Sequence, residues 1–214
     1  MSEASYTLRC GAWSERGIRE RNEDCAAYNG ALGFLVIADG MGGHPCGDEA
    51  SAQVIDEVLQ ILESSPSPHD VLLAACMEAH EALASHGDNR GSTLTAAVLA
   101  GDKLHVAHVG DTRLYVDQTQ VTTDQGEGQV LHQFIGGEDT PQILQTTHTV
   151  AEGAWIILTT DGIHGVLPLG EVLDSAVELC DQDPATIART LAHSAIQSGS
   201  TDNCTCVVAE VIPA

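Results

Sequence analysis

Four aspartates stand where types and spacing could do chemistry: Asp39, Asp111, Asp161 and Asp202. Asp39 and Asp161 each end an apolar run of strand length and are followed by glycine; Asp111 follows Gly110, and Asp202 stands just before another such run. Strand ends are rigid, and an adjacent glycine lets backbone and side chain come close to a ligand. If the strands are neighbours, the four carboxylates meet at one end of a sheet. There they repel one another and raise each other's pKa unless a cation intervenes. All-oxygen ligation suits Mg2+ or Mn2+ and argues against zinc, which prefers His and Cys. Two such ions about 3.5–4 Å apart lower the pKa of a bridging water and hold a phosphoryl oxygen for in-line attack. No serine, cysteine or histidine nucleophile is then required. One Asp-Gly after a strand is most often only a turn; four in this arrangement weigh more.

Arg19 is the second element. The run Arg16-Gly17-Ile18-Arg19-Glu20-Arg21-Asn22-Glu23-Asp24 concentrates three of the eight Lys and Arg residues just before two carboxylates. An arginine beside a metal cluster clamps phosphate through its fork of donors. The plainer reading of the run is a solvated charged turn.

The elements that must position these groups follow from periodicity. Residues 6–13, 25–28, 33–38, 92–99, 103–109, 113–116, 155–160 and 204–211 read as strands, with Gly101-Asp102 as a hairpin turn. Ala50, Val54, Val58 and Ile61 or Leu62 fall at helical spacing, and Ser64-Ser65-Pro66-Ser67-Pro68 ends that helix. Further helices are expected over 70–85, 169–179 and 184–198. Residues 117–150 are polar and resist assignment. Strands in clusters and helices in pairs predict an α+β layered sandwich with antiparallel sheets, not a doubly wound parallel sheet.

The chain has 214 residues, enough for one domain with a substantial core. Aromatics make up only 3%, so Leu, Val, Ile and Ala must fill that core. The net charge of −23 repels polyanions, which speaks against nucleic acid and anionic membranes as partners. It suits a solubility or salt-adapted surface, or recruitment of cations to a carboxylate-rich site. No apolar run approaches the roughly 18 residues of a membrane span, and the N-terminus lacks a signal-peptide pattern. Seven cysteines without a CxxC pair suggest buried reduced thiols and a cytoplasmic protein.

Six blocks then line up. In order they are Gly17-Ile18-Arg19-Glu20-Arg21-Asn22-Glu23-Asp24, Ala38-Asp39-Gly40-Met41-Gly42-Gly43-His44, Gly91-Ser92-Thr93, Val109-Gly110-Asp111-Thr112-Arg113-Leu114-Tyr115, Leu158-Thr159-Thr160-Asp161-Gly162 and Thr201-Asp202-Asn203-Cys204-Thr205. The series resembles the bacterial branch of the metal-dependent protein phosphatase (type 2C) family and spans nearly the whole chain. The resemblance implies a single phosphatase domain over 1–214, a four-layer α/β/β/α sandwich of two antiparallel sheets flanked by helix pairs. It implies two Mn2+ or Mg2+ ions held by Asp24, Asp39, the Gly40 carbonyl, Asp161 and Asp202, with Glu23 in support. Asp111 matches the aspartate that in many members joins a third, weaker metal. Arg19 would hold the substrate phosphate while bridging hydroxide attacks phosphorus, with no phosphoenzyme. Substrates would be phosphoserine and phosphothreonine in proteins, opposing a Ser/Thr kinase.

The sequence departs from the family in places. Some eukaryotic members carry His after the first Asp-Gly as the acid; here Met41 stands there, as in other bacterial members, which leaves that role to water at the metals. His44 reads as a packing or turn residue. The stretch between Asp111 and Asp161 is short, and the usual Thr-x-Asp-His-Ser is reduced to Thr122-Thr123-Asp124-Gln125. The flap that shapes substrate choice in the family is therefore trimmed, within about 117–150. His108 replaces a common Asn. A non-catalytic phosphoprotein- or kinase-binding regulator would more naturally lack an aspartate or Arg19, and a two-metal nuclease is awkward at this charge.

Overall fold

The computed structural model describes residues 5–41, 46–128, 130–168 and 183–214. The expected helix over 169–179 and the turn residue His44 lie outside them. Two five-stranded antiparallel sheets form the centre. The first is ordered β1 (Tyr6–Glu15), β12 (Cys204–Pro213), β11 (Trp155–Thr159), β6 (Arg113–Val116), β7 (Thr119–Gln120). The second is ordered β10 (Leu144–Thr149), β5 (Lys103–Val109), β4 (Leu94–Ala100), β3 (Phe34–Asp39), β2 (Asp24–Asn29).

The side-chain alternation of these strands builds the layers. Along β3, Leu35 and Ile37 face the other sheet while Phe34, Val36 and Ala38 face helices. Along β12, Val207, Ala209 and Val211 face inward and Cys204, Cys206 and Val208 outward. Helices α1 (Gly47–Ser64) and α2 (Pro68–Ala84) cover the second sheet with Ala50, Val54, Val58, Leu62, Leu72 and Leu83. It is Leu62, not Ile61, that completes the buried stripe of α1. Over the first sheet lie the single turn α3 (Asp161–His164) and α4 (Pro184–Gln197), which buries Ile187, Leu191 and Ala195. Among the described residues this gives the four-layer α+β sandwich that the strand clustering predicts. The six described cysteines are free, and Cys76, Cys204 and Cys206 are fully buried.

Residues 117–150 hold more structure than their polarity suggests. Besides β7 they contain a small hairpin, β8 (Gly126–Glu127) with β9 (Val130–Leu131), and the edge strand β10. Ile135 forms an isolated bridge with Ser92, which in turn bridges Gly40. The trimmed segment is thereby pinned beside the end of β3.

Candidate metal centre

Asp24 opens β2 and Asp39 closes β3, and the antiparallel register sets them directly opposite each other. Alternation along both strands turns the two carboxylates to the inter-sheet side, at the end of the sandwich. Like charges on one rung destabilise a ladder. The backbone around Asp39 is nonetheless held from several sides. Its N–H donates to Thr93 Oγ1 at 2.9 Å, and its carbonyl accepts from the Thr93 N–H at 2.8 Å and from Ser92 Oγ at 3.0 Å. Gly40 follows, and its N–H donates to the Glu23 carbonyl at 2.9 Å. A Cβ on Gly40 would overlap the Gly47 carbonyl oxygen, so only glycine lets this strand end approach α1.

Asp161 is the first residue of α3, straight after β11, and Asp202 precedes β12, the neighbour of β11. Asp111 follows Gly110, whose φ of 105° belongs to the region glycine favours. Arg19, Glu23, Asp39, Gly40, Asp111, Asp161 and Asp202 all line one open cleft of about 370 Å³. Asp24 sits beneath it, across from Asp39. Of the eight expected site residues, seven therefore line this cleft and Asp24 stands opposite one of them, Asp39, on the ladder.

The electrostatics carry the mark of that crowding. Burial pushes Asp24 up to about 7, and the charges of Asp161 and Asp202 add to the rise, while the neighbouring Thr205 and Thr160 side chains lower it. Asp39 is held well above the usual carboxylate range by burial first and then by Asp24, Asp161, Asp111 and Asp202. Burial, then Asp161, lifts Asp111 to about 6. Asp161 is raised by burial and Asp202, and Glu23 by burial and Asp48. Arg19 Nη2 donates to Asp202 Oδ2 at 2.6 Å, the direct ion pair of the cleft.

Do these residues fit divalent ions? Asp24 Oδ2 accepts from Thr160 Oγ1 at 2.8 Å, whereas Oδ1 is buried with no hydrogen-bond partner among the described residues. A buried carboxylate oxygen is costly in that state, and it is a lone pair available to a cation. No three described His, Cys, Asp or Glu side chains converge tightly enough to cage one ion by themselves. Hard ions such as Mg2+ keep several waters and take only one or two carboxylates each. Carboxylates spread around an open cleft match that habit and not a closed zinc cage. The donor set fits.

Three side chains that the sequence reading left without a role are structural parts of the site. Thr160 donates to Asp24 while its hydroxyl accepts from the Thr205 N–H at 3.0 Å. Thr93 holds Asp39. Asn203 joins the Arg19 loop to the start of β12 through three hydrogen bonds. Each lies inside a quoted block, next to an aspartate or at a strand start, and that adjacency was the available signal. Met41 and Leu131 complete the lining.

Comparison with known proteins agrees with this arrangement. The profile of the family described as protein phosphatase 2C matches residues 19–195. The chain belongs to the protein phosphatase 2C family. It is 29% identical, over 99% of its length, to serine/threonine protein phosphatase PstP of Mycobacterium tuberculosis, of which it covers 46%. It is 30% identical over half its length to serine/threonine phosphatase stp of Listeria monocytogenes, covering 49% of that protein. The chain thus spans about half the length of these curated relatives. Among solved structures it superimposes on the catalytic domain of PstP in complex with two manganese ions, with a TM-score of 0.87 at 29% identity, covering 97% of this chain and 100% of that one. Staphylococcus aureus Stp1 shares the fold, with a TM-score of 0.88 at 21% identity, covering 98% of this chain and 97% of that one.

Proposed function

We propose that this chain is one metal-dependent phosphatase domain, spanning residues 1–214, that hydrolyses phosphoserine and phosphothreonine in proteins and opposes a Ser/Thr kinase in the cytoplasm. The observation that carries the reading is the cleft itself: five acidic side chains, Glu23, Asp39, Asp111, Asp161 and Asp202, line it around Arg19, beside a buried Asp24 oxygen with no donor among the described residues. Support comes from the manganese-bound PstP domain, named a serine/threonine phosphatase and covered over its full length.

Asp24, Asp39, the Gly40 carbonyl, Asp161 and Asp202 would hold two Mn2+ or Mg2+ ions, with Asp111 at the edge for a third and Glu23 behind. Ions held there supply an acidified water and a clamp on phosphoryl oxygens. The chain's own side chains do the rest. Arg19 presents its fork to the phosphate oxygens and stabilises their charge as the bond to the leaving oxygen breaks. Its half-exposed side chain is accessible to substrate, which can take the place of Asp202 as its partner. Thr93 fixes the backbone of Asp39 and Thr160 the carboxylate of Asp24, so that little reorganisation is needed when ions bind. The acidic surface turns away nucleic acid as substrate.

The test is turnover of a chromogenic phosphomonoester and a phosphothreonine peptide with Mn2+, beside an Asp39→Asn variant. The variant should lose activity by about a hundredfold or more, as expected when a first ligand is removed. Equal turnover by both proteins would end the catalytic assignment.

A further inference from the structure

Asn203 occupies an unusual position. It is 4% exposed, and its amide is used in full toward a segment about 180 residues away. Its Oδ1 accepts from the Glu23 N–H at 2.8 Å. Its Nδ2 donates to the carbonyls of Arg16 at 2.8 Å and Arg21 at 2.9 Å. One NH2 group thus pinches both ends of the loop that carries Arg19. Only an amide does this: a carboxylate would set oxygen against two carbonyls, and a hydroxyl lacks the second donor.

The loop's other ties come from its own side chains: Arg19 to Asp202 at 2.6 Å, Asn22 Nδ2 to Ser14 Oγ at 2.7 Å and Arg21 to Asp48 at 3.2 Å. Arg16 Nη1 reaches the Glu20 carbonyl at 3.1 Å, while Ile18 at the tip is 75% exposed. Gly17 adopts φ 62°, and a Cβ there would overlap the Asp202 carbonyl oxygen. The loop therefore lies against the Asp202 backbone. The Asn203 N–H meanwhile donates to Asp202 Oδ1 at 2.8 Å, a backbone bond that any substitution at 203 except proline retains.

We infer that Asn203 is a positioning residue of the phosphate site: its side-chain amide sets the Arg19 loop against the Asp202 strand, so that the guanidinium and the carboxylate ligands keep one fixed relation. Asn203 borders the cleft, but its side-chain amide is spent on the loop. Its effect runs through Arg19 for phosphate binding, and through the Glu23 N–H it steadies the approach to Asp24. The kinetic consequences rest on the phosphatase reading above; the structural ones do not.

The experiment uses wild type, Asn203→Ala and Asn203→Asp, alone and combined with Arg19→Ala, with Mn2+ and p-nitrophenyl phosphate. The aspartate variant keeps the side chain's volume and its acceptor, so it answers the question even if the alanine variant folds poorly. Expected are rises of about tenfold in KM and in Ki for inorganic phosphate, with kcat changing less than about threefold; in the Arg19→Ala background the Asn203 effect shrinks below about twofold, because coupled residues are non-additive. Full additivity with Arg19→Ala, or an unchanged phosphate Ki, overturns the inference. Hydrogen exchange gives a readout independent of turnover. Amides of residues 17–23 should exchange at least about tenfold faster in the variants while β12 and α4 keep their protection. Unchanged loop exchange overturns the inference whether or not the protein is a phosphatase, whereas an inactive wild type with the expected exchange overturns only the phosphatase reading.

Discussion

At the scale of single residues, the site is a set of carboxylates that the fold would not tolerate without a counter-charge. Asp24 and Asp39 face each other across one rung of the ladder, and Thr160, at the end of β11, donates to the Asp24 side chain. That makes Thr160 a good place to test. Thr160→Val keeps the shape, removes the donor to Asp24 and leaves the Thr205 N–H without its acceptor. It should lower stability by about 1–2 kcal/mol in urea unfolding and raise the Mn2+ concentration for half-maximal activity about tenfold. Unchanged metal dependence would mean that Thr160 does not orient Asp24. Asp39 and Asp161 were legible because each ends an apolar run at a glycine, Asp111 because it follows Gly110 and Asp202 because it stands just before such a run; Asp24 was carried by the family resemblance. For Thr160 and Asn203 the adjacency to an aspartate was legible but the partners were not, because these lie 136 and 180 positions away. The position of Arg19 was legible, but its ion pair with Asp202 was not.

Whole elements show the same division between local signal and distant cause. Buried strands and amphipathic helices announced themselves, since β3, β4 and β11 are nearly continuous apolar runs and α1 repeats its buried residues at helical spacing. The strand β10 did not. Its sequence Leu-Gln-Thr-Thr-His-Thr is mostly exposed, because it is an edge strand with one neighbour and its register is set by β5. An edge needs no apolar face, and polar residues there guard against further pairing. The two-residue strands of the trimmed segment are too short for any periodicity. At the junction of β11, α3 and β12 the packing is tight enough to predict from. A Cβ on Gly162 would overlap the Asn203 carbonyl oxygen and press on the Cys204 sulfur. Gly162→Ala must therefore separate α3 from the start of β12, carrying Asp161 away from Asp202. A loss of about 1–3 kcal/mol in unfolding free energy is expected, together with weaker Mn2+ binding measured by calorimetry. Wild-type metal affinity in a destabilised variant would show that the two aspartates need not keep their spacing.

For the molecule as a whole, charge decides how stability answers to pH. The chain carries −23 at neutral pH, and the cleft adds a local excess that burial intensifies. Asp24 rises to about 7 and Asp111 to about 6, and Asp39 and Asp161 are raised as well. A raised carboxylate favours folding while it is protonated. Its contribution is complete below the unfolded value near 4 and is lost as pH climbs through the folded value. Between those limits the folded chain holds protons that the unfolded chain has released. The ion-free protein should therefore melt at a higher temperature near pH 5.5 than near pH 8, and added NaCl, by screening self-repulsion, should help more at the higher pH. Divalent ions and protons compete for the same oxygens. Saturating Mn2+ should then raise the melting temperature strongly at about pH 8 and much less at about pH 5.5, where it must displace protons first; at a hundred times its Kd an ion adds about 2.7 kcal/mol. Thermal melts with EDTA and with Mn2+ at the two pH values measure all four corners. Equal stabilisation by Mn2+ at both would mean that the ion binds somewhere other than among these four aspartates.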